Sequence, residues 1–146
     1  DTKIASVGAQ AFIVLGACHE AHQIVEESLA ESWDSDLVAL YGECLGSDVH
    51  NQIEQAEKWL PDHSGDAILL LTLGRLCARQ GLWGKAESYL EASLSVEQSY
   101  SAHLALADLK EKRGQHQAAA EHYRNGLNLV LSQVKSNTGG RRRTVV

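Results

Sequence analysis

The string Cys18-His19-Glu20-Ala21-His22 puts a thiol and two imidazoles within five residues. Thiolate and imidazole are the side chains that bind zinc, copper and haem iron. If a helix begins near His19, then His19 and His22 stand three apart and share a face. The spacing departs from the CxxCH attachment pattern and from the HExxH zinc pattern, so the string reads as a polar helix start. His19 and His22 are the residues that would carry a haem if one were bound; otherwise neither a metal nor a resident cofactor is expected. His50, His63, His103, His116 and His122 fall one per helix or loop, so a cluster among them has to be made in space. Cys18, Cys44 and Cys77 are odd in number and lack CxxC spacing, and they read as small buried hydrophobes in a reducing compartment.

Arg75 and Arg79 are four residues apart in an otherwise acidic chain. On one helix face they can hold a carboxylate between them by bidentate pairing. The competing reading pairs each of them with a carboxylate of the domain itself. Trp33, Trp59 and Trp83 lie at helix ends or hairpin junctions beside leucines, which suits rings filling a core or seam. Glu26-Glu27 and Glu111-Lys112-Arg113 read as solvated faces.

The elements that must position these groups are helices. The chain has 146 residues, 44% of them apolar and 22% charged, with a single proline. That length suits one domain able to fold without staples. A net charge of -6 speaks against wholesale nucleic-acid binding, because only Arg141-Arg142-Arg143 is locally basic. No apolar run approaches the roughly 18 to 20 residues of a membrane span, and nothing reads as a signal peptide. Methionine is absent even from position 1, so the sequence reads as a processed form or a piece, and any anchor belongs to a segment outside it.

A repeat organises the chain. Gly81 to Gly114 is a step of 33 residues, Gly16 to Gly81 is 65, and each glycine precedes an alanine by five (Ala21, Ala86, Ala119). Leu73 with Leu106, Leu76 with Leu109, and Leu94 with Leu127 keep the same step. Periods of this length mark stacked helical hairpins. Leu69, Leu70, Leu73, Leu76 and Cys77 form one helical stripe, with Asp66 as N-cap and Gly81 as its left-handed stop. Ala86, on the partner helix, is small so that two helices can approach. Between residues 34 and 61 the pattern weakens; Gly46-Ser47-Asp48 holds about three extra residues relative to the register, and Pro61 ends a helix. The expected fold is all-α, a right-handed superhelical stack of four hairpins at 2–32, 35–60, 66–95 and 99–134, followed by a frayed polar and basic tail at 136–146.

These residues resemble tetratricopeptide repeats. The unit from Ala67 carries Leu70, Leu73-Gly74, Cys77, Gly81, Ala86, Leu90 and Ser93 at the expected offsets, and the unit from Tyr100 carries Leu106-Ala107, Gly114, Ala119, Tyr123 and Gly126. Leu70 stands where the pattern prefers tryptophan and Gln98 where it prefers proline. Longer strings, among them Leu37-Val-Ala-Leu-Tyr-Gly, Ala56-Glu-Lys-Trp-Leu and Leu82-Trp-Gly-Lys-Ala, resemble the C-terminal region of the HemY family. That resemblance implies a bacterial inner-membrane protein, its membrane part N-terminal to a soluble repeat domain, associated with a late stage of haem or porphyrin metabolism. Nothing supports the unrelated flavin enzyme of the same name, since a strand-linked GxGxxG is lacking, and an enzyme of tetrapyrrole oxidation is the weakest reading.

In such stacks the first helix of each pair lines a concave groove that takes peptides. The tetratricopeptide offsets place Thr72, Arg75 and Arg79 of the third unit and Asp108 and Lys112 of the fourth there. Val7, Gln10, Ile13 and Val14 of the first unit are largely apolar, which fits either a covering segment or a second copy. The expectation is a non-catalytic interaction scaffold for late haem-pathway enzymes; the alternative is direct binding of haem or a porphyrin as carrier or sensor. Neither reading involves nucleic acid. Free cysteines favour the cytoplasmic face of the membrane, with the periplasmic face open.

Overall fold

The computed structural model describes the backbone of residues 1–145 and the side chains of residues 1–138. Within it the chain is all-helical: α1 (Thr2–Val14), α2 (Cys18–Glu31), α3 (Ser35–Glu43), α4 (Val49–Trp59), α5 (Ala67–Arg79), α6 (Trp83–Val96), α7 (Tyr100–Lys112) and α8 (His116–Val145). A single 3-10 turn, Leu60–Asp62, holds Pro61 just past α4, where its missing amide costs no helical bond.

Local chemistry explains why the helices begin and end where they do. The odd-numbered helices each start at a side-chain N-cap, supplied in turn by Asp1, Asp34, Asp66 and Ser99, whose oxygens accept from the first free amides. These caps recur every 32 or 33 residues and so mark the unit starts. α1, α5 and α7 end on left-handed glycines, with φ of 74° at Gly16, 72° at Gly81 and 75° at Gly114. Around each glycine the same two bonds close the helix: the Leu82 amide donates to the Cys77 carbonyl at 2.9 Å and the Gly81 amide to Ala78 at 3.1 Å. Ala17 with Phe12 and Gln115 with Lys110 repeat the longer bond at 2.8 Å. Only glycine enters that φ region without a Cβ penalty.

Packing follows the repeat. α1 pairs with α2, α5 with α6 and α7 with α8; α1, α3, α5 and α7 then stack in succession, and α2, α4 and α6 each touch the odd-numbered helix that follows. The core runs along this seam through Leu37, Leu69, Leu73, Leu76, Leu90 and Leu106, all fully buried, each stabilising by about 2 kcal/mol. The eighth position after each cap is small (Ala9, Gly42, Gly74, Ala107), which lets neighbouring helices approach.

The second unit is built differently. α3 and α4 do not pack closely; Tyr41 and Trp59 meet between them at 5.1 Å, edge to face. α3 has nine residues where α1, α5 and α7 have thirteen. The longer turn after it therefore replaces helix, and the unit is no longer than its neighbours. α3 ends in extended backbone at Cys44 instead of at a glycine. The Gln52 amide donates to the Tyr41 carbonyl at 2.8 Å and to Cys44 at 3.2 Å, and these bonds replace the glycine stop.

One expectation changes. Cys18 and Cys44 are bonded to each other, with Cα atoms 5.4 Å apart, and only Cys77 is a free buried thiol. The reading as three reduced hydrophobes fails because the spacing of 26 residues hid a contact made when α2 folds onto the end of α3. α8 runs as helix to Val145; the side chains of Arg141-Arg142-Arg143 lie outside the described residues.

Candidate functional site

α3, α5 and α7 line one side of the stack, and a cleft of about 360 Å³ runs along them. Arg75 and Arg79 project into it from α5, Asp108 and Lys112 from α7, and Tyr123 reaches in from α8. Leu45 and Leu104 supply apolar wall. Four of the five groove residues expected from the repeat offsets therefore share one cleft. Thr72 does not join them. It is buried, and its methyl group stands where a Cβ on Gly42 would be, 2.7 Å away, so it is packing between α3 and α5.

The charges in the cleft are unevenly matched. Lys112 bridges Asp108 at 3.0 Å, one helical turn away, so that pair is locally neutral. Among the described residues no carboxylate comes within bridging distance of Arg75 or Arg79, although Glu43 lies near enough to favour the charged form of Arg75. Burial lowers the Arg75 pKa; Glu43 opposes that and the Arg79 charge adds to it. Two cations, one turn apart, thus face a partly apolar cleft without carboxylate partners bridging them, which leaves their forked N–H donors free for an incoming carboxylate or phosphate.

The histidine and cysteine string has a structural role. The His22 Nε2–H donates to the Cys44 carbonyl at 2.6 Å, the ring tilts against Tyr41 at 4.7 Å, and Cys18 is bonded to Cys44. The string therefore clamps the start of α2 to the end of α3. Burial lowers the His22 pKa, with the bond to Cys44 opposing. A haem iron would have to displace the Cys44 carbonyl to reach Nε2, while His19 is exposed. Among the described residues no group of three His, Cys, Asp or Glu side chains is placed to hold a metal.

Sequence reading missed two clusters. Trp33 stacks on His63 at 3.6 Å and donates from Nε1 to Asp66 at 2.9 Å, and Ser35 donates to the same carboxylate oxygen. With Trp59 at 5.9 Å from Trp33, these rings form the seam between the second and third units. Trp83 stands apart from them, partly exposed at the start of α6. His103 and His122, from α7 and α8, meet at 3.1 Å between their Nδ1 atoms. Their separation of 19 residues gives no local signal. The charges read as solvated have partners as well: Glu26 accepts from the Tyr41 hydroxyl, Glu111 meets His116, Lys112 bridges Asp108 and Arg113 pairs with Glu87.

The architecture is that of a tetratricopeptide-like α-solenoid with a cleft along its first-helix face. No family model and no curated protein matches the chain. Among solved structures it is similar to MamA: a crystal structure of MamA superposes with a TM-score of 0.69 over 87% of this chain and 77% of that one, at 14% identity. A structure of MamA from MSR-1 gives 0.62 over 91% and 79%, at 18% identity, and one from AMB-1 gives 0.55 over 88% and 73%, at 20%. At such identities the likeness establishes the fold.

Proposed function

We propose that this chain is a non-catalytic docking scaffold whose cleft holds an acidic segment of a partner protein, and that the partner acts late in haem or porphyrin synthesis at the bacterial inner membrane. The carrying observation is the Arg75–Arg79 pair, four residues apart with no carboxylate bridging it among the described residues, in a cleft whose other charges cancel. A partner carboxylate there exchanges water for charge-assisted hydrogen bonds, each contributing about 1.5 to 3 kcal/mol. The pathway assignment rests on the HemY-like strings. Among the described residues no helix is long and apolar enough to cross a membrane, so attachment is assigned to another segment of the natural protein. The Cys18–Cys44 bond removes the argument from free thiols and favours the oxidising, periplasmic face.

The test is retention of late haem-pathway enzymes from solubilised bacterial membranes on the immobilised chain. Arg75→Glu with Arg79→Glu should weaken retention at least about tenfold, equivalent to 1.4 kcal/mol, and added salt should weaken the unmutated complex. Equal retention by the double variant sinks the cleft assignment. Failure to retain any of these enzymes sinks the pathway assignment.

A further inference from the structure

The last hairpin brings two imidazole nitrogens together at a separation that suits a metal ion. His103 of α7 and His122 of α8 approach to 3.1 Å between their Nδ1 atoms. Gly126 stands one turn beyond His122 on the same face of α8. A Cβ on Gly126 would lie 3.3 Å from the Cβ of His103, so the missing side chain seats α8 close on α7 and lets His122 reach the ring opposite. His103 is only 5% exposed, and His122 is half-buried.

The proton arrangement leaves one of these nitrogens bare. The Gln98 side-chain amide donates to the Leu94 carbonyl at 3.3 Å, which fixes the amide oxygen toward His103. That oxygen accepts from the His103 Nε2–H at 2.8 Å. His103 therefore offers a lone pair at Nδ1, oriented by a partner on its far nitrogen as metal-ligating imidazoles are. His122 presents its own Nδ1 lone pair once its proton moves to Nε2 through solvent, with no change in net charge. Two imidazole nitrogens on a tetrahedral divalent ion, each at roughly 2.0 to 2.1 Å, stand about 3.3 Å apart. The observed separation is close to that edge, so a small tilt of the rings admits an ion.

The surrounding charge is suited to a cation. Glu121 and Glu91 lie near enough to act on His122, and among the described residues neither is in an ion pair. Lys110, which opposes a charge at His122, is itself paired with Glu87. Burial holds both rings below the usual histidine range, so at neutral pH both are uncharged, the form that binds metal.

We infer that His103 and His122 form a two-imidazole site for a divalent transition-metal ion of the zinc or copper class, with water in the remaining positions. An ion held there staples α8 to α7, the two helices that supply Tyr123 and Leu104 to the cleft.

The experiment is titration of the full 146-residue chain, first stripped with a chelator, with Zn2+ at neutral pH, read by calorimetry and by the thermal midpoint. One ion should bind per chain and raise the midpoint. His122→Gln should lose that binding. Gln98→Ala, which releases the far nitrogen of His103, should weaken it about tenfold. His50→Gln, at an exposed histidine on α4, should leave it unchanged. Midpoints measured in chelator verify that each variant folds. Cu2+ on the unmutated chain gives a reading that needs no variant: its electron-spin-echo spectrum should show two imidazole rings on the metal. Absence of binding overturns the inference, as does binding that survives His122→Gln. A copper signal from one imidazole also overturns it, since that marks adventitious attachment to an exposed histidine.

Discussion

A methyl group on Gly74 would stand 2.6 Å from both Cγ and Cδ2 of Leu90 and 3.3 Å from the Ala86 carbonyl oxygen. α5 and α6 therefore meet with the glycine backbone seated directly on a side chain that is fully buried. Gly74→Ala gains about 1 kcal/mol of helix propensity and loses about 1 to 3 kcal/mol to overpacking. The expected outcome is a lower thermal midpoint. Gly84→Ala, where a Cβ meets nothing within 4 Å, should raise it. Calorimetry of the two variants decides, and a stabilised Gly74→Ala would refute the close approach.

The Cys18–Cys44 bond closes a segment with a separation of 26 residues. Constraint of the unfolded chain by a loop of this size is worth about 3 kcal/mol. Adding a reductant, or substituting Cys18→Ser with Cys44→Ser, should lower the denaturant midpoint by a corresponding amount. Thiol titration of the denatured, unreduced protein should find Cys77 alone. Three reactive thiols in protein from the oxidising side of the membrane would contradict the pairing.

His103 and His122 share one contact between two Nδ1 atoms, so one ring must donate while the other accepts. The second nitrogen of His103 donates to Gln98 at 2.8 Å, which makes His122 the Nδ1 donor. Burial, then the neighbouring His122, lowers the His103 pKa. Burial, then Lys110, lowers that of His122 against the opposing pull of Glu121, Glu91 and Glu87. A depressed pKa means the unfolded chain takes protons first, so the stability is complete above 6.5 and declines as pH falls from there toward the folded values. Urea midpoints should therefore drop below pH 6.5, and His103→Gln with His122→Gln should flatten that limb. An equally steep limb in the double variant would place the pH dependence elsewhere.

Haemin added to the full chain should give no axial-ligand shift of its Soret band at His22, because the nitrogen it needs is donating to Cys44. A shift abolished by His19→Ala or His22→Ala would restore the haem-binding alternative.

The hairpin stack was legible because its causes are local. Left-handed glycines, aspartate caps and stripes at helical spacing act within a few residues, and a fixed step carries them along the chain. Gly16, Gly81, Asp66 and the leucines of α5 accordingly stand where the pattern required. Arg75 and Arg79 followed from the same register, since one helical turn separates them whatever surrounds the helix. Thr72 did not, because whether a position at the edge of a stripe faces groove or neighbour depends on how closely α3 approaches, and Gly42 decides that.

The sequence by itself therefore determined the helices, their order and the repeat that stacks them. Tertiary structure alone decided the Cys18–Cys44 bond, the His103–His122 contact and the Trp33–His63–Asp66 seam. These join residues 19 to 33 positions apart, and the pairings depend on the angle between hairpins, a property set by the whole packed interface instead of any segment.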